Sequence, residues 1–380
     1  MDRNAVPVAA VPNKPLECCW YCTAGQCLAG FCQPHAPPAR LRCLECCTVG
    51  LFWHAGMYHS PGKEVVLRRG RFDQFVKLVK VGPHVSAKWQ TRSVDLFVPS
   101  TKEQGLEIPI RVYEPLNHAG SLACMVYFHG GGFCIQDKDD YGVDMLCQKL
   151  CSKRGVKLVS VSYRLAPENP FPAAVHDSLD VLKWIATKPQ VLSGLDLSGG
   201  IVVAGDSAGG NLACVMSSLC RDGLDSDLTP LAEGTAPKIA AQLLFYPWLL
   251  MRVDQSHLEN QPRNFLPEPV LNWFGLSYYP QFKPNEDCQE RRLAPVAAGF
   301  QGLPKTIMIT AGRDILKFDN AAAVTKMKEQ GVDVTHLACE DMMHGFATFG
   351  FRKECDLAVQ TACDALGDAG GGNALPLTQS

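Results

Sequence analysis

Ser207 stands in Gly205-Asp206-Ser207-Ala208-Gly209, after the apolar run Gly200–Ala204 and before the helix-like Asn211–Met216. Strand, Gly-x-Ser-x-Gly, helix is the setting in which a serine hydroxyl is exposed at the tip of a sharp turn. Gly205 and Gly209 suit that turn, because strand and helix backbones meet there and a β-carbon on either would collide. A hydroxyl so placed can attack a carbonyl carbon. It needs a base for its proton, and fixed N–H donors for the charge that builds on the carbonyl oxygen. Donors are offered by His129-Gly130-Gly131-Gly132-Phe133, which follows the apolar run Leu122–Phe128, together with the N–H of Ala208. His129 reads as a loop-ordering residue, not as the base.

The base and its acid partner come late in the chain. Asp314 follows the strand-like Lys305–Thr310, and His344 follows Val332–Leu337. Ser207 would attack, His344 would take and return the proton, and Asp314 would fix the imidazole tautomer and stabilise its charge. Asp319 is the rival acid, but it falls inside what reads as the next helix.

These residues lie among further motifs: Tyr163-Arg164-Leu165-Ala166-Pro167-Glu168, Phe171-Pro172-Ala173-Ala174 and His344-Gly345-Phe346. In that order, over roughly residues 90–365, the chain resembles the hormone-sensitive lipase family of α/β-hydrolases, also called family IV esterases. The resemblance implies hydrolysis of carboxylic esters without a metal or organic cofactor, on a small-molecule substrate. It assigns the oxyanion N–H groups to Gly131, Gly132 and Ala208. It makes the segment Tyr163–Pro167 and Asp177 structural supports, with Gly130, Asp206, Gly205 and Gly209 supporting the motifs. The same family includes a plant hormone receptor that has lost the catalytic histidine; this chain keeps His344. A ligand receptor on the same fold and an amide hydrolase such as a formamidase are the alternative readings.

Positioning those loops requires a sheet. Candidate strands fall near 93–98, 107–113, 122–128, 157–163, 200–205, 239–246, 305–310 and 333–339. Helices are expected near 139–153, 172–187, 208–221, 319–330 and 353–366. Fully apolar strands alternating with helices imply an α/β fold, a mostly parallel sheet covered on both faces. Right-handed crossovers then place every strand C-terminus, and the loops that carry the chemistry, along one edge. Ser193–Gly200 reads as a turn-rich connection. Residues 48–366 form the expected hydrolase domain, and 367–380 a disordered tail. Two stretches depart from the alternation: 48–90, with the helix-compatible Phe72–Val79, and the aromatic insertion 248–300. Both are expected to form a cap that shapes an apolar pocket.

The 380 residues suffice for a large core, and the formal net charge of −2 shows no basic block of the kind nucleic acid requires. Eight of the 18 cysteines crowd into residues 1–47. Cys19 and Cys22, with Cys43 and Cys46, have zinc-site spacing, but the neighbouring cysteines produce such pairs by chance. A zinc knuckle, an S-acylated segment in peripheral membrane contact and an unstructured leader are the three readings of this region. Met1–Pro15 lacks the apolar core of a signal peptide, and no run of 18 apolar residues occurs, so a cytoplasmic location is expected. The composition leaves the oligomeric state open.

Overall fold

The computed structural model describes residues 81–252, 266–349 and 353–367. The zinc candidate Cys19, Cys22, Cys43 and Cys46, the leader 1–47, the proposed cap helix Phe72–Val79 and the tail beyond Gly367 lie outside the described residues.

Nine strands form one sheet: β1 Val85–Ser86, β2 Thr91–Pro99, β3 Glu107–Pro115, β4 Leu122–Phe128, β5 Lys157–Val161, β6 Leu195–Asp206, β7 Ile239–Phe245, β8 Lys305–Arg313 and β9 Val334–Met343. Their order is β1-β2-β3-β5-β4-β6-β7-β8-β9. The pairs from β1 through β3 to β5 are antiparallel, and those from β5 to β9 are parallel. The chain leaves β4 for β5 on one side and then returns to place β6 on the other. That reversal opens a crevice at the carboxyl ends of β4 and β6, where open α/β sheets bind their ligands.

Alternation along β4 builds the two layers. Cys124, Val126 and Phe128 join one buried cluster, while Ala123, Met125 and Tyr127 join the other. Helices α1 (Tyr141–Arg154) and α7 (Lys353–Leu366) cover the second face, through Leu146, Leu150, Val359 and Ala362. Helices α2 (Ala173–Thr187), α3 (Ala208–Arg221), α4 (Glu268–Tyr278) and α5 (Lys317–Glu329) cover the first, with Leu179, Leu212, Val270 and Met327 buried. The short helix α6, Phe346–Phe349, completes the set of described α-helices. Each such buried Val, Leu or Met side chain contributes about 1.5–3 kcal/mol relative to an exposed one.

Several boundaries differ from the expected ones, each for a local reason. β6 begins at Leu195, inside the stretch read as a turn, because Leu122 and Ala123 pair with Leu195 and Asp196 before the register shifts at Ala123/Cys124. β8 and β9 run on to Arg313 and Met343 through another register shift, between Ala311 and Arg313. Residues 85 and 86, assigned to a cap, instead pair with β2 at the sheet margin. Helix α4, inside the insertion, buries Val270, Leu271, Phe274, Gly275 and Tyr278 at helical spacing, in a stretch where no helix was expected.

Helix α3 starts hard against the end of β4. A β-carbon on Gly209 would strike the carbonyl oxygens of Phe128 and His129. Backbone cannot yield as a flexible side chain does, so Gly209→Ala is expected to destabilise the fold by at least roughly 3 kcal/mol in urea unfolding. Parent-like stability in that variant would contradict this packing.

Candidate active site

Ser207 joins β6 to α3 at φ 54° and ψ −117°, a backbone conformation that L-residues rarely adopt. Three main-chain bonds hold it there. Its N–H donates to Phe245 O at 2.9 Å, and its carbonyl accepts from Asn211 N at 3.1 Å and Trp248 N at 3.2 Å. The turn therefore carries strain of about 1–3 kcal/mol that the surrounding bonds offset.

The histidine and the acid arrive from the next strand ends. His344 Nε2 lies 2.9 Å from Ser207 Oγ, and its Nδ1 lies 2.7 Å from Asp314 Oδ2. The other Asp314 oxygen accepts the Leu316 N–H at 3.0 Å, which fixes the carboxylate plane. All three side chains are buried. Asp319 lies in the first turn of α5 and pairs with Arg252 Nη2 at 3.0 Å, whereas Asp314 is the acid placed against His344. Nδ1–H donated to the carboxylate leaves Nε2 free to accept the serine proton, the tautomer that general-base chemistry needs.

Gly131, Gly132 and Phe133 all have positive φ, at 90°, 59° and 63°. Gly131 O accepts from Cys134 N at 3.0 Å and Ile135 N at 3.1 Å, curling the loop over the end of β4. Ala208 opens α3, and the first N–H groups of a helix have no acceptor within it. His129 is a loop-ordering residue, as expected: its Nδ1 bonds Gly130 O at 2.9 Å and its ring stacks on Tyr163 at 4.2 Å. The Tyr163 hydroxyl donates to His129 O at 2.7 Å. Asp177 supports the following segment, accepting from Arg164 N at 2.8 Å and from the Arg164 guanidinium.

Two tyrosines near the site gave no signal in the sequence. Tyr127, in the middle of β4, donates from its hydroxyl to Asp206 Oδ1 at 2.5 Å. Tyr246, just past β7, lays its ring 4.8 Å from that of His344, and its hydroxyl accepts the Ala347 N–H at 3.2 Å. Tyr127 looks like one more apolar strand residue, and only its polar tip could have hinted at a partner. Burial pushes both phenols well above their ordinary range, so each hydroxyl stays protonated and able to donate.

The described part of the aromatic insertion packs as core over this loop. Trp248, Trp273, Phe274, Tyr278 and Phe282 are each 6% exposed or less. Tyr278 stacks on Phe133 at 3.9 Å and 7°, and the Phe274 ring fills the space beside Gly132. Residues 253–265 lie outside the described residues. Among the described residues, no group of three His, Cys, Asp or Glu could hold a metal ion, and no helix is long and apolar enough to cross a membrane.

A family model for the alpha/beta hydrolase fold matches residues 125–348, which span β4 to α6 and hold every residue of the site. The chain belongs to the alpha/beta hydrolase family. Carboxylesterase NlhH of Mycobacterium tuberculosis is 34% identical over 263 residues, covering 69% of this chain and 76% of that protein. Arylacetamide deacetylase of Oryctolagus cuniculus is 30% identical, over 67% of this chain and 78% of its own length. Among solved structures, a hyperthermophilic esterase from the archaeon Pyrobaculum calidifontis superposes with a TM-score of 0.68 at 30% identity, covering 88% of this chain and 98% of that one. The resemblance to hormone-sensitive lipase relatives read from the motifs is borne out.

The two candidate acids give opposite expectations. Asp314→Asn should lower kcat roughly 10^3- to 10^4-fold by spoiling the tautomer, whereas Asp319→Asn should stay within about fivefold of the parent. Steady-state hydrolysis of a chromogenic ester measures both, and equal losses would remove the distinction.

Proposed function

We propose that this protein is a carboxylic ester hydrolase that works through an acyl-enzyme on Ser207. One observation carries the reading: a single buried imidazole lies within hydrogen-bond reach of both a strained serine hydroxyl and a carboxylate. Contact between Ser207 and His344 favours turnover over a ligand receptor on the same fold.

In this reading Ser207 Oγ adds to the ester carbonyl carbon while its proton passes to His344 Nε2. The carbonyl π electrons move to oxygen, and the N–H groups of Gly131, Gly132 and Ala208 receive that charge. The intermediate collapses, the carbon–oxygen bond to the alcohol breaks, and His344 returns its proton to the leaving alkoxide. Water then repeats the sequence against the acyl-enzyme, with His344 as base and Ser207 as leaving group, and carboxylic acid departs. Asp314 stays ionised throughout and stabilises the imidazolium. Every proton transfer closes on these side chains and the substrate.

Hydrolysis of p-nitrophenyl acetate and butyrate tests the reading. Ser207→Ala and His344→Ala should each lower kcat roughly 10^4- to 10^6-fold, and the double variant should be little worse than either. Undiminished turnover in Ser207→Ala, or losses that multiply, would remove the shared nucleophile–base unit. Acyl-amide substrates included in the same assay separate the amide hydrolase alternative.

A further inference from the structure

We propose that Asp206 is a positioning residue that binds the oxyanion loop to the nucleophile turn. The inference rests on the serine ester hydrolase reading above.

The role follows from connectivity. Asp206 is the last residue of β6 and the immediate neighbour of Ser207. Its carboxylate accepts the Tyr127 hydroxyl at 2.5 Å, the N–H of Gly130 and its own N–H. Tyr127 and Gly130 flank the end of β4, so one side chain ties the strand, its loop and the serine together. The fit is close: the carboxylate occupies the space a side chain at Gly130 would need. Any drift of Gly131 and Gly132 away from Ser207 must first break these bonds.

The carboxyl is enclosed: Asp206 is 4% exposed, and burial pushes its pKa above the ordinary range. His129 adjoins the same loop, with its Nδ1 on Gly130 O.

Asp206→Asn keeps the side chain's size but puts an amide NH2 where an oxygen accepts the loop's donors. With p-nitrophenyl butyrate, kcat should fall roughly 10- to 100-fold, no more than the loss of one oxyanion donor costs, with KM changed by less than about threefold. A residue that merely supported the fold would lower the yield of folded enzyme and leave kcat per folded molecule in place. Tyr127→Phe removes one donor from the clamp, so kcat should fall at least about threefold with KM again little changed. A kcat within about twofold of the parent in folded Asp206→Asn overturns the proposal. Should Asp206→Asn not fold, Tyr127→Phe decides, and a kcat within about twofold of the parent overturns it. Ser207→Ala, run alongside, keeps the two ideas separable: activity there sinks the serine mechanism, whereas activity lost there with Asp206→Asn indistinguishable from the parent sinks only the role of Asp206.

Discussion

The approach of α3 to the end of β4 is the constraint on which the rest of the site depends. Gly209 lies so close to the carbonyls of Phe128 and His129 that no side chain fits between them. That contact forces the serine turn and the glycine loop to share one small volume at the point where the strand order reverses. Parallel pairing of β6, β7, β8 and β9 then sets the remaining strand ends beside it, in step. Asp314 and His344 emerge from the last two, one residue past each strand. The imidazole can bridge hydroxyl and carboxylate only because those strands end where they do.

Burying this much polarity is costly unless every group is matched. A buried charge without partners costs several kcal/mol, and breaking one half of a buried pair is correspondingly severe. Here each acid meets donors that come from separate elements. Asp314 is held by His344 and the Leu316 N–H, Asp206 by Tyr127 and Gly130, and Asp177 by Arg164. The same bonds that make burial tolerable also fix directions, so low dielectric and correct orientation come from one arrangement.

Much of this was legible in the residues, and the reason is local. Close backbone approach demands glycine, so Gly205, Gly209 and Gly130–Gly132 mark their turns directly in the sequence. Strands buried on both faces demand continuous apolar runs, as in Leu122–Phe128 and Gly200–Ala204. Chain order then singled out Asp314 and His344. What stayed hidden depends on partners far away in sequence. Tyr127 gains its meaning from Asp206, 79 positions on, and Tyr246 from Ala347, 101 positions on. The true ends of β8 and β9 depend on a register shift between two strands, which neither strand encodes alone. The aromatics of the insertion carry no mark of which neighbours they meet, and contacts such as Tyr278 on Phe133 pack them as core among the described residues.

Asn211 sits one turn into α3, and its amide nitrogen donates to Trp248 O at 2.7 Å and to Leu293 O at 2.6 Å. Trp248 opens the aromatic insertion and Leu293 lies late within it. A single amide thus cinches the base of the excursion like a drawstring, on the very helix that carries the nucleophile. Because Trp248 also donates to Ser207 O, and Phe274 and Tyr278 within the excursion pack on Gly132 and Phe133, any shift of this knot reaches the serine turn and the glycine loop together.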